Sequence, residues 1–243
     1  LAAGCTGFLG AGISYTLSYT RSLPLDQGIR NYQYLDRLVK YYNDHGVHIH
    51  REQPGFLTGT LIPPGLAIAI AVLEMLLAAR QGLRHYSVGL CQNLDLVQDV
   101  AALRALDEVS RQYLDRFGYR DFFFTVASHH WMQAFPEDEA QAYAIIAMGT
   151  AIAVLGGATQ VITKTCHEAC GIPTKEANAQ GLRTSAQVVR MLRGMRLPLD
   201  RDGLLEKEMI VREARVLLDR ALELGEGDVA RAATRGFEAG ILD

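Results

Sequence analysis

The feature that most constrains the fold of this chain is a rhythm. Four short segments rich in apolar, β-branched or aromatic residues, at 47–50, 86–90, 122–127 and 160–165, begin about 36 to 39 residues apart, a little longer than the ~30 of a minimal βαβ unit. Helix-period segments fill the gaps. Residues 27–42 are amphipathic through Ile29, Leu35, Leu38, Val39 and Tyr42, with Gly46 as a stop. Asn93-Leu94-Asp95 opens a second helix with an apolar face of Leu96, Val97, Val100, Leu103, Leu106, Val109, Tyr113 and Phe117, and Gly118 ends it. Pro64 and Pro136 sit where first helical turns would begin. Residues 143–162 split at Gly156-Gly157 into a buried helix, a turn and a strand.

Strands alternating with helices predict an α/β fold with a parallel sheet, and the even spacing favours a (β/α)8 TIM barrel over a Rossmann sheet. An earlier unit is implied by the Gly-rich stretch 5–19, expected to be a strand end plus loop. That makes about five strands where a barrel needs eight. The alternatives are an open sheet or a partial barrel lacking its first strands, and Leu1 as first residue favours the latter. After Asn178 only helices are expected, at 177–195, 204–224 and 228–239. The expected division is therefore barrel units over 1–178 and a helical extension over 179–243 that packs on them.

Hydrophobic content of 49% and charged content of 21% over 243 residues supply a large core. A net charge of −3 gives no electrostatic reason to expect nucleic acid or an anionic membrane as partner. Cys5, Cys91, Cys166 and Cys170 are too few and scattered for a disulfide scaffold, which makes a reduced cytoplasm the expectation. No basic segment followed by an apolar run opens the chain, so no signal peptide is visible. Residues 61–79 are apolar enough to raise a membrane question, but Pro63, Pro64 and Glu74 interrupt them, and a buried helix is the better reading.

Each strand segment has an apolar body and a polar carboxyl end. The ends are His48, His50, Arg51 and Glu52; Cys91 and Gln92; Ser128, His129, His130 and Trp131; and Lys164, His167 and Glu168. In a parallel barrel these ends share one face, where active sites sit; the bland alternative is that strands leaving a core must end in something polar. Lys164 with Glu168 is the pair to single out, since a triple donor beside a carboxylate suits a sugar hydroxyl or an acid; a structural ion pair is the competing reading. Tyr15 and Tyr19, four apart in the Gly-rich loop, suit hydrogen bonding to a carboxylate or ordinary rim packing. Lys175 and Glu176 are read as first-turn helix charges. Cys166, His167 and Cys170 are close in sequence, and His48/His50 and His129/His130 could converge, but no zinc spacing is present and no metal is expected; the cysteines are read as small apolar packing residues. Gly7, Gly10 and Gly12 lack the acidic partner of a dinucleotide fingerprint, leaving a tight turn or close approach to a ligand.

Several longer motifs run in order along the whole chain: GISY at 12–15, GVHIHRE at 46–52, LTGTLIPP at 57–64, HHWMQAFPEDE at 129–139 and GIPTKEAN at 171–178. With them the chain closely resembles the large (epsilon) subunit of adenosylcobalamin-dependent glutamate mutase, also called methylaspartate mutase. The resemblance implies a (β/α)8 barrel entered near its fourth strand, ending before the family's carboxyl-terminal segment and inactive as an isolated piece. The missing strands would carry the arginines that clamp the substrate carboxylates. It implies interconversion of L-glutamate and threo-3-methylaspartate by an adenosylcobalamin radical mechanism. The small subunit's Asp-x-His-x-x-Gly motif is absent (Asp44-His45-Gly46 does not fit it), so a small cobalamin-binding subunit is the implied partner, in a heterotetramer of two large and two small subunits. By resemblance, Lys164 and Glu168 contact the adenosyl ribose, Phe135 and Ile172 line the cofactor pocket with Met132 nearby, and Tyr15 and Tyr19 contact substrate. Three positions depart from the family: Leu9 stands for a glutamate that meets the substrate amine, Pro54 for a phenylalanine near the substrate, and Ser18 for a cofactor-contacting proline. The cofactor set is thus better preserved than the substrate set. A mutase acting on a different amino acid or diacid, or a non-catalytic relative, is the alternative.

Overall fold

The computed structural model describes residues 6–20, 22–55 and 62–243. Five strands form one sheet: β1 (Gly7–Leu9), β2 (His50–Gln53), β3 (His85–Cys91), β4 (Phe123–His129) and β5 (Gln160–Ile162). Their spatial order is their chain order, and each neighbouring pair is parallel. Helices make the crossovers: α1 (Ser14–Tyr19) and α2 (Leu25–Asp44), then α3 (Pro64–Arg80), α4 (Leu96–Arg116) and α5 (Glu139–Gly156). The chain ends in α6 (Lys175–Leu192), α7 (Arg201–Leu224) and α8 (Val229–Glu238).

Strand order without a switch is that of a barrel, not of a doubly wound sheet. Curvature follows from one contact. β2 and β5 are separated by two strands, about 14 Å in a flat sheet at ~4.8 Å per strand. Gln160 Nε2 of β5 nevertheless donates to Glu52 Oε2 of β2 at 2.5 Å. The sheet curls into a half-barrel, and side chains from its outer strands meet across the concave face.

Layering explains the apolar helices. α3 is buried at every residue from Gly65 to Ala79, because it lies against β2 and β3 on one side and is covered by α7 and α8 on the other. A helix apolar all round is the expected solution for such a place. Pro64 takes the first helical position of α3, while α5 is capped by Asp138, whose carboxylate accepts from Gln141 N at 2.9 Å; Pro136 therefore lies outside the helix it was expected to open. α5 is the one described helix long and apolar enough to cross a membrane, and here it packs against α4 and α6.

Four expectations shift. The strand expected at 47–50 forms at His50–Gln53, because Val47 closes α2 by donating to Tyr42 O, and Ile49 is held by the Asn43 side chain. The strand at 160–165 stops at Ile162, where Thr163 turns to Ser185 of α6. Tyr15 and Tyr19 lie on α1, not in a loop. Gly10 and Gly12 approach their own protein closely. Gly10 has φ +134°, and a Cβ there would meet the Tyr32 hydroxyl at 2.6 Å; one on Gly12 would press on Ile29 Cα at 3.0 Å. Cys5 and positions 57–61 of the LTGTLIPP motif lie outside the described residues.

Candidate active site at the carboxyl ends of the strands

The carboxyl ends of β1 and β2 are built around Arg51. Strand alternation sends it away from the concave face, where its guanidinium is 2% exposed. Its Nε donates to Asp36 of α2 at 2.7 Å, and its two terminal nitrogens donate to Phe8 O and Gly10 O, each at 3.0 Å. One side chain therefore ties β2 to a helix and to the backbone on both sides of Leu9. The loop that follows is held by a second buried group, Glu74 of α3. One of its oxygens accepts from Ile13 N at 3.0 Å, Ser14 N at 2.9 Å and Ser14 Oγ at 3.1 Å, which anchors the start of α1. Burial pushes the Glu74 carboxyl up to about 7, against the pull of these donors.

α1 then presents Tyr15 and Tyr19 together, their rings 5.3 Å apart and tilted by 60°. Tyr15 also touches Tyr32, with ring centres 6.4 Å apart. Burial raises the Tyr15 phenol to about 12, helped by its tyrosine neighbours and by Glu52, so it stays protonated and can donate. Pro54 follows β2 and lies against the backbone of Gly89, where a Cβ would come within 2.6 Å of it.

The carboxyl ends of β4 and β5 carry a different set. Lys164 Nζ donates to Glu168 Oε2 at 2.9 Å, the side chains being 20% and 23% exposed. The other Glu168 oxygen accepts from Thr165 N at 3.3 Å, and the Glu168 and Cys170 amides close turns onto Thr165 O and His167 O. This places both charged groups on a folded turn with open sides. Phe135 is buried beside Trp131, with ring centres 6.2 Å apart, in a small cluster with Ala142, Ile146, Cys166 and Ala177. Met132 Sδ lies 3.7 Å from Cys91 Sγ, and burial holds that thiol up at about 12, far from a reactive thiolate. Ile172 is 96% exposed.

Not every polar strand end belongs to this face. Gln92 turns to Ser128 Oγ and to Gly149 O of α5. His130 Nδ1 accepts from Lys164 N, which leaves Nε2 to donate to Thr150 of α5 at 3.1 Å. His129 Nδ1 is taken by His130 O at 2.7 Å. Burial lowers the two imidazoles to about 4 and about 3, with Lys164 adding to the effect and Glu168 opposing it at His129, so both are neutral near pH 7. Arg51, Gln92 and His130 are thus fasteners between sheet and helices. The histidine pairs do not converge, since His50 Nε2 bonds Ser87 Oγ at 2.8 Å inside the half-barrel. Cys166, Cys170 and His167 do not form a set either: Cys166 is buried and Cys170 exposed. Cys166 and His167 instead meet Glu139, with one ligand atom from each within 4.8 Å of the others, while the Tyr143 hydroxyl lies 3.3 Å from Cys166 Sγ.

Three residues that matter here were not singled out in the sequence. Glu74 looked like an interruption in an apolar run, although a lone carboxylate in an otherwise buried helix is itself a signal. Gln160 was counted as the start of a strand. Glu52 was one polar residue in a list, and its oxygens depend on a contact from β5.

Half of a parallel (β/α) barrel, with ionic and phenolic side chains gathered where the strands end, defines a barrel protein whose chemistry belongs on that face. The family model for the methylaspartate mutase E chain (MutE) matches residues 1–243, and the chain belongs to that family. It is 49% identical over its whole length to the glutamate mutase epsilon subunit of Desulfitobacterium hafniense (strain Y51) and 46% identical to that of Yersinia enterocolitica, covering 50% of each. A more distant relative, the epsilon subunit of Fusobacterium nucleatum, is 31% identical over 243 residues. The chain spans about half the length of these relatives.

Proposed function

We propose that this chain is the part of a glutamate mutase large subunit that carries the cofactor-facing side of the barrel, in an enzyme interconverting L-glutamate and threo-3-methylaspartate. The observation that carries the reading is the Lys164–Glu168 pair just beyond β5, with the exposed Ile172 four residues further along the same segment. A cation and a carboxylate on one hydrogen-bonded turn offer donor and acceptor to the vicinal hydroxyls of a ribose. An isoleucine left almost wholly in water is an apolar surface suited to a large ligand. These residues fit adenosylcobalamin: Lys164 and Glu168 would hold the adenosyl ribose, and Phe135, Ile172 and Met132 would line the pocket. When bound, the cofactor supplies the organic radical that takes hydrogen from the substrate.

What the chain itself does is bind and orient. Tyr15 and Tyr19 donate hydrogen bonds to a substrate carboxylate, Tyr15 reliably so because its phenol stays protonated. Arg51 and Glu74 fix the backbone that carries them. A small cobalamin-binding subunit completes the site, and the arginines that clamp the substrate come from the strands preceding β1. To test this, the full-length protein is combined with its small subunit and adenosylcobalamin and given L-glutamate. Methylaspartate is the expected product, and its absence overturns the reading.

A second reading, a mutase of altered substrate, is favoured by Leu9. Its side chain is 50% exposed at the end of β1 and offers no acceptor to an amine. Leu9→Glu should then raise glutamate turnover; unchanged turnover would remove the basis for this reading.

A further inference from the structure

The concave face of the half-barrel is crossed by a polar chain. His50 Nε2 bonds Ser87 Oγ at 2.8 Å, Ser87 bonds Thr125 Oγ1 at 2.6 Å and Gln160 Oε1 at 3.3 Å, and Gln160 Nε2 donates to Glu52 Oε2 at 2.5 Å. At its Glu52 end the chain stops on a buried oxygen. Glu52 Oε1 is buried and accepts nothing among the described residues. No arginine or lysine pairs with Glu52 there, although it is only 9% exposed.

We infer that Glu52 is the carboxylate that receives the ammonium group of the substrate, through its free oxygen Oε1. This rests on the reading of the substrate as an amino acid. A buried carboxylate with one oxygen idle is costly unless something with N–H donors and positive charge completes it. Its other oxygen is fixed by Gln160, so the idle one has a set direction. Leu9 is in register with Glu52 across the β1–β2 pair, at the same level of the barrel, and presents no acceptor. Tyr15 is close enough that the charge of Glu52 raises its phenol, which brings a carboxylate donor and an ammonium acceptor to one place. Desolvation raises the Glu52 carboxyl, and an ammonium beside it would favour the charged form.

The experiment compares two diacids that differ only by the amine. Binding of L-glutamate and of glutarate to the full-length holoenzyme is measured by calorimetry, for wild type and Glu52→Gln. Glutamate affinity should fall about 10- to 100-fold, the size of a lost charge-assisted hydrogen bond, while glutarate affinity holds. If Glu52→Gln does not fold, Glu52→Asp, which keeps the charge but withdraws it, should show the same selective loss in smaller measure. Equal losses for both diacids, or no loss for glutamate, overturn the inference alone. If the wild-type holoenzyme binds neither diacid, the amino-acid mutase reading falls and takes this inference with it.

Discussion

Two ion pairs stand at the carboxyl ends of the strands and do opposite things. Arg51–Asp36, at β2, is sealed: its side chains are 2% and 5% exposed, and each terminal nitrogen of the guanidinium donates to a backbone carbonyl. Lys164–Glu168, just beyond β5, is open: it has about a fifth of its surface in solvent and leaves two lysine donors for other partners. The first is closed off from any ligand by burial, so its role is to position Leu9 and the start of α1. The second is organised yet open, as the proposed ribose contact requires. Charge at a strand end is therefore not by itself a sign of function; access from solvent separates the two cases.

The comparison breaks most readily at Arg51. Arg51→Ala in the full-length protein strands Asp36 and two carbonyls, and should cost about 3–5 kcal/mol of stability, the usual penalty for halving a buried pair. Denaturant unfolding measures it. A loss under about 1 kcal/mol would mean that the pair is not the fastener described.

Glu74 sharpens the same point through pH. Its folded-state pKa of about 7 lies above the ordinary 4.5, so the folded protein binds this proton more tightly than the unfolded chain does. The contribution is fully present below about pH 4.5 and is lost as pH rises to about 7. Glu74→Gln keeps an acceptor for Ile13 and Ser14 but cannot titrate. Across that window its stability should vary less with pH than that of wild type; an unchanged slope would show that Glu74 does not carry the effect.

Much of this architecture could be read in the sequence, and the rest could not for definite reasons. Strand–helix alternation follows from periodicity and the buried α3 from a long apolar run, both of which local sequence carries. Lys164 and Glu168 are four residues apart, so their pairing needed only one turn of chain. Arg51 and Glu52 are neighbours with opposite destinations, and a one-residue shift in the start of β2 exchanges them. The expected strand at 47–50 left both beyond its end, where a fastener and an idle carboxylate look alike. Only the fold brings Gln160, 108 residues away, to one oxygen of Glu52 and leaves the other bare.

The open pair should behave oppositely to the sealed one. Lys164→Ala should change stability by no more than about 1 kcal/mol, because a partly solvated pair contributes little. Adenosylcobalamin binding and turnover should fall well beyond that, and Lys164→Arg should not fully restore them, since a planar fork does not replace a compact ammonium. Equal losses in stability and in cofactor affinity would place Lys164 with Arg51 as a fastener.

Ile172 gives the smallest effect and the cleanest one. Its side chain touches almost nothing, being 96% exposed, so Ile172→Ala should leave stability within about 0.5 kcal/mol of wild type. If the cofactor covers this side chain, truncation removes apolar contact from the bound state alone. Partial burial of the lost carbons is worth ~1 kcal/mol, or about a fivefold weaker adenosylcobalamin affinity by titration. Ile172→Ser, which is smaller and polar, should weaken it further in the same direction. If both variants bind the cofactor as tightly as wild type, Ile172 faces something else, and the open side of the Lys164–Glu168 turn is narrower than the ribose reading requires.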